Sequence, residues 1–283
     1  MRQAVSDNFA AFSARLEGRV AHMYLDNKRN VTIGIGNKID PLSDALNLAA
    51  SGAQLFCDAT GDPASDAEIT DEWNRVKFST GPAQLHLEQS GIDNLVANKL
   101  NSTEAALLAF FPAFPTWPAD AQMGLLSLGW AMGPNGLKPP AFPNFHDAVG
   151  LRAWFRAARE CNMAGSDLVK RNAADRGLFR NAAVSEEPPA SDPDTLFMPI
   201  PGSRPQLQLG SVDVPPADDV GTLQRMFQPS RLNLLAAGSD SGTFDTATDT
   251  AVRTFQRGES GFPVTGVVAE LTWAALGEGV PLA

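Results

Sequence analysis

The stretch Leu16-Glu17-Gly18-Arg19-Val20-Ala21-His22-Met23-Tyr24-Leu25-Asp26, followed after a polar cluster by Val31-Thr32-Ile33-Gly34-Ile35-Gly36, decides how this chain is read. Upstream of it Val5, Phe9, Phe12 and Leu16 recur with a helical period, which predicts an amphipathic helix that Gly18 stops. The segments 20–24 and 31–35 read as short strands, and Asp26-Asn27-Lys28-Arg29-Asn30 between them suits a turn, so a small antiparallel hairpin follows the helix. In the second strand, alternation sends Val31, Ile33 and Ile35 to one face and Thr32, Gly34 and Gly36 to the other. That second face is bare apart from one hydroxyl, and a bare face lets a bulky ligand approach the backbone.

Beyond the hairpin a Gly-, Asp- and Ser-rich loop is expected over 51–70, and helices dominate after it. They are expected over 71–78 and 85–100, and from a start at Asn101-Ser102-Thr103-Glu104 that resembles a capping box. Pro118 is placed to open a helix through Met123, Leu126, Trp130 and Met132 that is apolar on every side and interleaved with Gly124, Ser127 and Gly129, as befits the centre of a bundle. Two further helices are expected near 145–161 and 166–175. The fold class is therefore α+β, mainly α. Between 186 and 219 lie eight prolines and six net negative charges, the composition of a stiff, extended linker, although the apolar centre Leu196-Phe197-Met198-Pro199-Ile200 could strap onto a domain. The expected organisation is a domain over 1–185, a Pro-rich acidic linker over 186–218 and a small module over 219–283.

The 283 residues, 43% hydrophobic and 19% charged, supply a buried core and exclude a disordered, collagenous or repeat-only protein. No run approaches the roughly 18 apolar residues of a membrane-spanning helix, and the start lacks a secretory hydrophobic run, so synthesis without a signal peptide and without membrane insertion is expected. Cys57 and Cys161 show no CxxC pattern and read as two buried thiols. The net charge is −10, but residues 138–185 carry a local +4, which suits either a basic wall beside an anionic ligand or a solvated helix face. His22, His86 and His146 lack metal-ligand spacing, and Gly34-x-Gly36 lacks the remaining glycine and the βαβ setting of a dinucleotide loop. No metal, cofactor or nucleic-acid partner is expected, and the chain is expected to be a monomer.

Chemistry concentrates where helix meets hairpin. Glu17 ends the helix, Asp26 opens the turn and Thr32 lies in the second strand. Two carboxylates near a hydroxyl on a bare floor offer an acid and a base. Each residue alone is an ordinary solvated side chain, yet this joint spacing should arise by chance only about 0.04 times in a chain of this composition.

The Glu, Tyr-x-Asp and Thr-Ile-Gly-x-Gly positions, matched without a gap, resemble the phage-type lysozymes of glycoside hydrolase family 24. The likeness extends more faintly through Ile69-Thr70-Asp71-Glu72, the helix ending Leu128-Gly129-Trp130-Ala131-Met132-Gly133, and 171–179. It implies a sheet lobe and a helical lobe with a cleft between them, and hydrolysis of the β-1,4 bond between N-acetylmuramic acid and N-acetylglucosamine. It further implies Glu17 as general acid, Asp26 as the carboxylate that activates water and Thr32 as the hydroxyl that holds it, with Tyr24, Gly34, Gly36 and Asn37 on the substrate side. The negative end of the helix dipole, and any partial burial, favour a protonated Glu17, whereas Asp26 beside Lys28 and Arg29 should ionise readily. A water held by Thr32 implies inversion. Relatives often carry His where this chain has Asn37, which removes a structural charge pair. Alternatives are a non-catalytic wall-binding protein of lysozyme shape and a chitinase-like glycosidase.

Leu223-Gln224-Arg225-Met226-Phe227, Gly242-Thr243-Phe244-Asp245, Ala251-Val252-Arg253-Thr254-Phe255-Gln256, Val264-Thr265-Gly266-Val267-Val268 and Thr272-Trp273-Ala274-Ala275-Leu276 are similar to a three-helix peptidoglycan-binding domain. Leu223, Phe227, Val252, Phe255, Trp273 and Leu276 read as its small core. The implied partner is the peptidoglycan glycan strand, to which such a module would hold the enzyme. Without a signal peptide, access to the periplasm or wall would require holin-type release, as for a phage endolysin, or contact-dependent secretion, as for an antibacterial toxin. A toxin would imply an immunity protein as partner.

Overall fold

The computed structural model describes residues 1–78, 81–187, 192–197 and 204–277, and their contacts gather into two compact units, Ser6–Leu107 and Met1–Val5 with Leu108–Ala283. The fold is mainly helical with a small antiparallel sheet. Composition draws a boundary at the proline-rich segment, whereas contacts in space group the C-terminal helices with the helices from 108 onward. Met198–Ile200, the far half of the expected strap, lies outside the described residues.

Helix α1 (Gln3–Glu17) forms where the apolar spacing places it: Val5 and Phe9 are fully buried, Phe12 nearly so. Gly18 ends the helix at φ 78°, a left-handed conformation that glycine adopts without a Cβ clash. Strands β1 (Val20–Leu25) and β2 (Val31–Gly34) make the expected hairpin, but the second strand is shorter than alternation suggests. Gly34 and Gly36 take φ of 70° and 64°, so Gly34-Ile35-Gly36 is a turn into a third strand, β3 (Asn37–Lys38). Helix α2 (Leu42–Leu46) follows, and the expected loop over 51–70 contains β4 (Leu55–Cys57). Helix α3 (Asp66–Phe78) begins earlier than residue 71. Leu85–Leu87 is strand β5, not the start of a helix; Leu85 and Leu87 point inward and β5 pairs with both β1 and β4. The sheet order is β3-β2-β1-β5-β4, antiparallel throughout.

Helix α4 (Gln89–Leu108) runs unbroken through Asn101–Glu104, which corrects the expected helix start there. Leu100, Thr103 and Leu107 form one buried stripe across the site of the proposed cap, and Ser102 donates back to the Lys99 carbonyl at 2.9 Å instead of capping.

In the other unit, α5 (Ala119–Met132) starts after Pro118 and is buried from Ala119 to Trp130, a bundle centre as its sequence indicates. Its small residues have partners: a Cβ on Gly124 would meet the Phe179 ring at 3.0 Å, and Ser127 Oγ accepts from Arg171 at 2.9 Å. The helix expected near 145–161 is two, α6 (Pro143–Gly150) and α7 (Trp154–Glu160), broken where Arg152 takes φ 52°. Helix α8 (Val169–Ser185) begins later and runs ten residues beyond the expected end at 175. Asp120, in the first turn of α5, accepts from the Phe197 amide and from Asn181, and Leu196 is buried, so this part of the proline-rich segment is strapped onto the helices.

Helices α9 (Asp219–Phe227), α10 (Thr246–Gly258) and α11 (Glu270–Leu276) follow, with the predicted Leu223, Phe227, Val252, Phe255, Trp273 and Leu276 as their core. Ala173 of α8 belongs to the same core. A Cβ on Gly177 would collide with the Ala274 carbonyl, so glycine lets α11 lie directly on α8. Glu259 is buried between Arg176 (2.5 Å) and Arg180 (2.7 Å), and Arg180 also donates to the Ala275 carbonyl and covers the Phe255 ring. The basic excess over 138–185 is thus partly interior: Arg171, Arg176 and Arg180 are all buried, which fits neither a basic wall nor a solvated face. Of the cysteines, Cys161 is buried, but Cys57 is half-exposed with its Sγ against Glu68, so only one matches the expected buried thiol.

Two outcomes follow for stability. Glu259→Ala leaves two buried guanidinium groups uncompensated and should lower the unfolding free energy by about 3–5 kcal/mol, read from urea denaturation. Burial raises the Asp120 carboxyl to about 7 from 3.8, against the opposing bonds from Phe197 and Asn181. Between those values the folded state keeps a proton that the unfolded state releases, so this group's contribution to stability falls as pH rises and levels off above about 7. Asp120→Asn lacks that slope, and its stability relative to wild type should improve between about pH 4 and about pH 7.

Candidate functional site

The first candidate site lies within the Ser6–Leu107 unit. Glu17 is the last residue of α1, and Gly18, at positive φ, turns the chain out of the helix ahead of β1. Glu17 is exposed, against the partial burial its sequence position allowed for. Its carboxyl lies over Gly36: a Cβ there would stand 3.4 Å from Glu17 Oε2. Gly36 therefore serves the turn through its positive φ, while a Cβ there would make only ordinary contact with the carboxyl.

Tyr24 of β1 is directly opposite Thr32 of β2. Burial raises the Tyr24 phenol above its ordinary pKa, and the charges of Glu17 and then Asp26 raise it further. The charges of the two acids, 9 residues apart in sequence, thus both act on the same phenol. Asp26 is half-buried, and that burial opposes ionisation, but hydrogen bonds from Asn30 and from the Lys28 amide outweigh it and hold the carboxyl below its usual range. The Oδ1 atom accepts from the backbone amides of Lys28 (2.9 Å) and Asn30 (2.7 Å), and the Asn30 side chain reaches Oδ2 at 3.0 Å. Thr32 is 3% exposed, and its hydroxyl donates to the Asn30 carbonyl at 3.3 Å.

Gly34 and Asn37 are placed differently from the ligand-facing positions expected of them. Helix α4 covers Gly34, where a Cβ would meet Ile92 and Leu95. Asn37 is turned inward to the Leu95 carbonyl, with its Oδ1 toward Gly34, because the Gly34-Ile35-Gly36 turn reverses the chain into the core side of the sheet. Two polar neighbours were not picked out from sequence. Asn30 organises Asp26 from within the turn, and its place in an Asx-type cluster was legible. Lys99 donates to the Gly36 carbonyl at 3.0 Å from 63 residues away, where nothing local marks it.

The second candidate site lies in the C-terminal helices. Two buried glutamines organise their loops. Gln224 binds Gly242 N, Thr243 O and Thr248 Oγ1, while Gln256 accepts from Thr265 N and Gly266 N at 2.9 Å and donates to Val267 O at 2.8 Å. The second loop rims a pocket of about 200 Å³ that also takes in Gln208, Leu209, Asp249 and Arg253. Arg253 donates to Asp249 at 2.8 Å and keeps 40% of its side chain exposed. A Cβ on Gly266 would collide with both members of that pair, so glycine keeps the pocket open. Such a mouth presents a cation, a carboxylate and backbone groups to a polar ligand.

Residues 216–276 match the family model of a peptidoglycan binding domain. A comparison of the chain with curated proteins finds no match. The chain thus carries a peptidoglycan-binding module, which makes peptidoglycan a partner and associates the protein with the cell wall. Among the described residues no group of three or more His, Cys, Asp or Glu side chains could hold a metal ion, and no helix is long and apolar enough to cross a membrane.

Asn30→Ala removes the side-chain bonds to Asp26 and should raise the Asp26 pKa toward its ordinary value, measured by carboxyl carbon NMR titration, while the backbone bonds keep it from rising fully.

Proposed function

We propose that the protein is a lysozyme-type glycoside hydrolase, an N-acetylmuramidase that cleaves the β-1,4 bond of peptidoglycan and is held to that polymer by its C-terminal module. The observation that carries the reading is the convergence of Glu17 and Asp26 on Tyr24, beside Thr32 and above Gly36. A glycosidic oxygen leaves only when protonated, and Glu17, open to solvent at the helix end, is placed to donate that proton. Asp26 is kept ionised by the Asn30 and Lys28 bonds, as a base requires. Thr32 gives its proton to Asn30, which leaves the hydroxyl oxygen free to accept from a water. That water adds to the anomeric carbon, loses its proton to Asp26, and the leaving oxygen takes the proton of Glu17, so the product is inverted. The match over 216–276 supports the same polymer as substrate from an unrelated part of the chain.

We further propose action in the periplasm or wall after holin-type release or contact-dependent secretion, the latter with an immunity protein as partner. In a dye-release assay on purified peptidoglycan, Glu17→Gln should lower the rate by at least about 100-fold. Undiminished lysis would defeat the assignment, and no lysis by the intact protein would leave a wall-binding protein only. Mass spectrometry of the products decides between muramidase and chitinase-like action, because only the former releases reducing N-acetylmuramic acid ends.

A further inference from the structure

The sheet carries a second set of side chains that the mechanism does not use. His22 of β1 is paired directly with His86 of β5, and His86 with Phe56 of β4, so these three side chains form a row across three strands on one face. Tyr24 lies two residues beyond His22, and the two half-buried side chains flank Met23, which is turned into the core; β1 is irregular against β2 in this stretch, between Val20 and Tyr24. The ring centroids of His22 and His86, and of Phe56 and His86, are each 6.2 Å apart. None of the three is buried: His22 keeps 43% and His86 33% of the side chain exposed, and Phe56 is intermediate.

The hydrogen bonds fix what these rings offer. His22 Nδ1 is 2.9 Å from the Leu85 carbonyl and His86 Nδ1 is 2.6 Å from Asp58 Oδ1. Both partners are acceptors, so each Nδ1 carries the hydrogen, and Nε2 is the ring nitrogen left to meet a ligand. The sheet face therefore presents ring surfaces together with two positioned acceptors. The row and Tyr24 together span β4 to β1, two strand-to-strand steps or about 10 Å, which is long enough for more than one sugar ring.

We propose that Phe56, His86 and His22 form a glycan-binding track that leads from Tyr24 away from the reacting bond and holds neighbouring N-acetylhexosamine units of the strand. Ring faces take the apolar C–H faces of the sugars, and the Nε2 atoms accept from hydroxyl or acetamido N–H groups. Asp58 positions His86 without touching the ligand. The proposal rests on the lysozyme-type reading for its choice of ligand, and the continuity of the row with Tyr24, where Glu17 and Asp26 converge, selects a glycan over other occupants.

The chain has three histidines, which makes the test direct. His146 lies in the other unit, stacked on Phe111 at 4.5 Å, and serves as an internal reference. The full chain with Glu17→Gln is titrated with a β-1,4 N-acetylglucosamine hexamer while the imidazole signals are followed by NMR. The signals of His22 and His86 should move and that of His146 should stay, and Phe56→Ala or His86→Ala should weaken binding about five- to tenfold. His86→Phe, which keeps a ring and loses Nε2, should recover part of that loss. In turnover on soluble glycan strands, the loss should fall on KM rather than kcat. Lysis by the wild-type chain with static His22 and His86 signals would overturn the track and leave the hydrolase reading standing. Moving signals without lysis would uphold the track as a sugar site and defeat the hydrolase reading, and static signals without lysis would defeat both.

Discussion

Glu259 buried between Arg176 and Arg180 is the constraint on which the larger unit depends. Three charges are withdrawn from water at the contact of α8 with the C-terminal helices, where they face one another, and among the described residues Arg176 Nη2 and Arg180 Nε have no hydrogen-bond partner. Arg176 also donates to Asn162, and Arg180 to the Ala275 carbonyl, while Gly177 lets α11 come close enough for those bonds to form. Helix α8 is thereby shared: one side packs Phe179 against Phe145 and Trp154, and the other lends Ala173 to the core of the peptidoglycan-binding module. A wall-binding module built into a helical scaffold in this way is a different object from one held on a free tether.

The smaller unit is governed by backbone conformation more than by charge. Gly18, Gly34 and Gly36 all adopt positive φ, and between them they end α1, end β2 and bring Gly36 under Glu17. Asp26, Asn30 and Thr32 then form one hydrogen-bonded group in which a single asparagine serves the carboxylate through its side chain and amide and the threonine through its carbonyl. The two carboxylates consequently sit in unlike surroundings, Glu17 exposed above a glycine and Asp26 held by hydrogen-bond donors.

Much of this was legible in the residues. The helix from Val5 to Leu16, the hairpin, the start of α5 at Pro118 and the core of the C-terminal helices all follow from period, turn chemistry and capping, because each is set by neighbours in sequence. Strands β3, β4 and β5 were not, since two or three residues carry too little pattern and exist only through pairing with distant strands. The apparent cap at Asn101–Glu104 failed for a related reason: a local signal was overridden by a buried stripe that required α4 to continue.

The sequence alone determined the fold class, the spacing that puts Glu17 at the end of α1 just before the hairpin that carries Asp26 and Thr32, and the likeness of the C-terminal segment to a wall-binding domain, because these rest on short-range geometry and residue chemistry. Tertiary structure decided that α4 covers Gly34 and Asn37, that Lys99 reaches Gly36, that His22, His86 and Phe56 align across strands, and that the arginines of α8 face inward. Each of those outcomes depends on which surfaces meet. A polar helix such as α8 gives no warning of burial, since its charges become tolerable only once Glu259, about 80 residues farther along the chain, arrives to meet them.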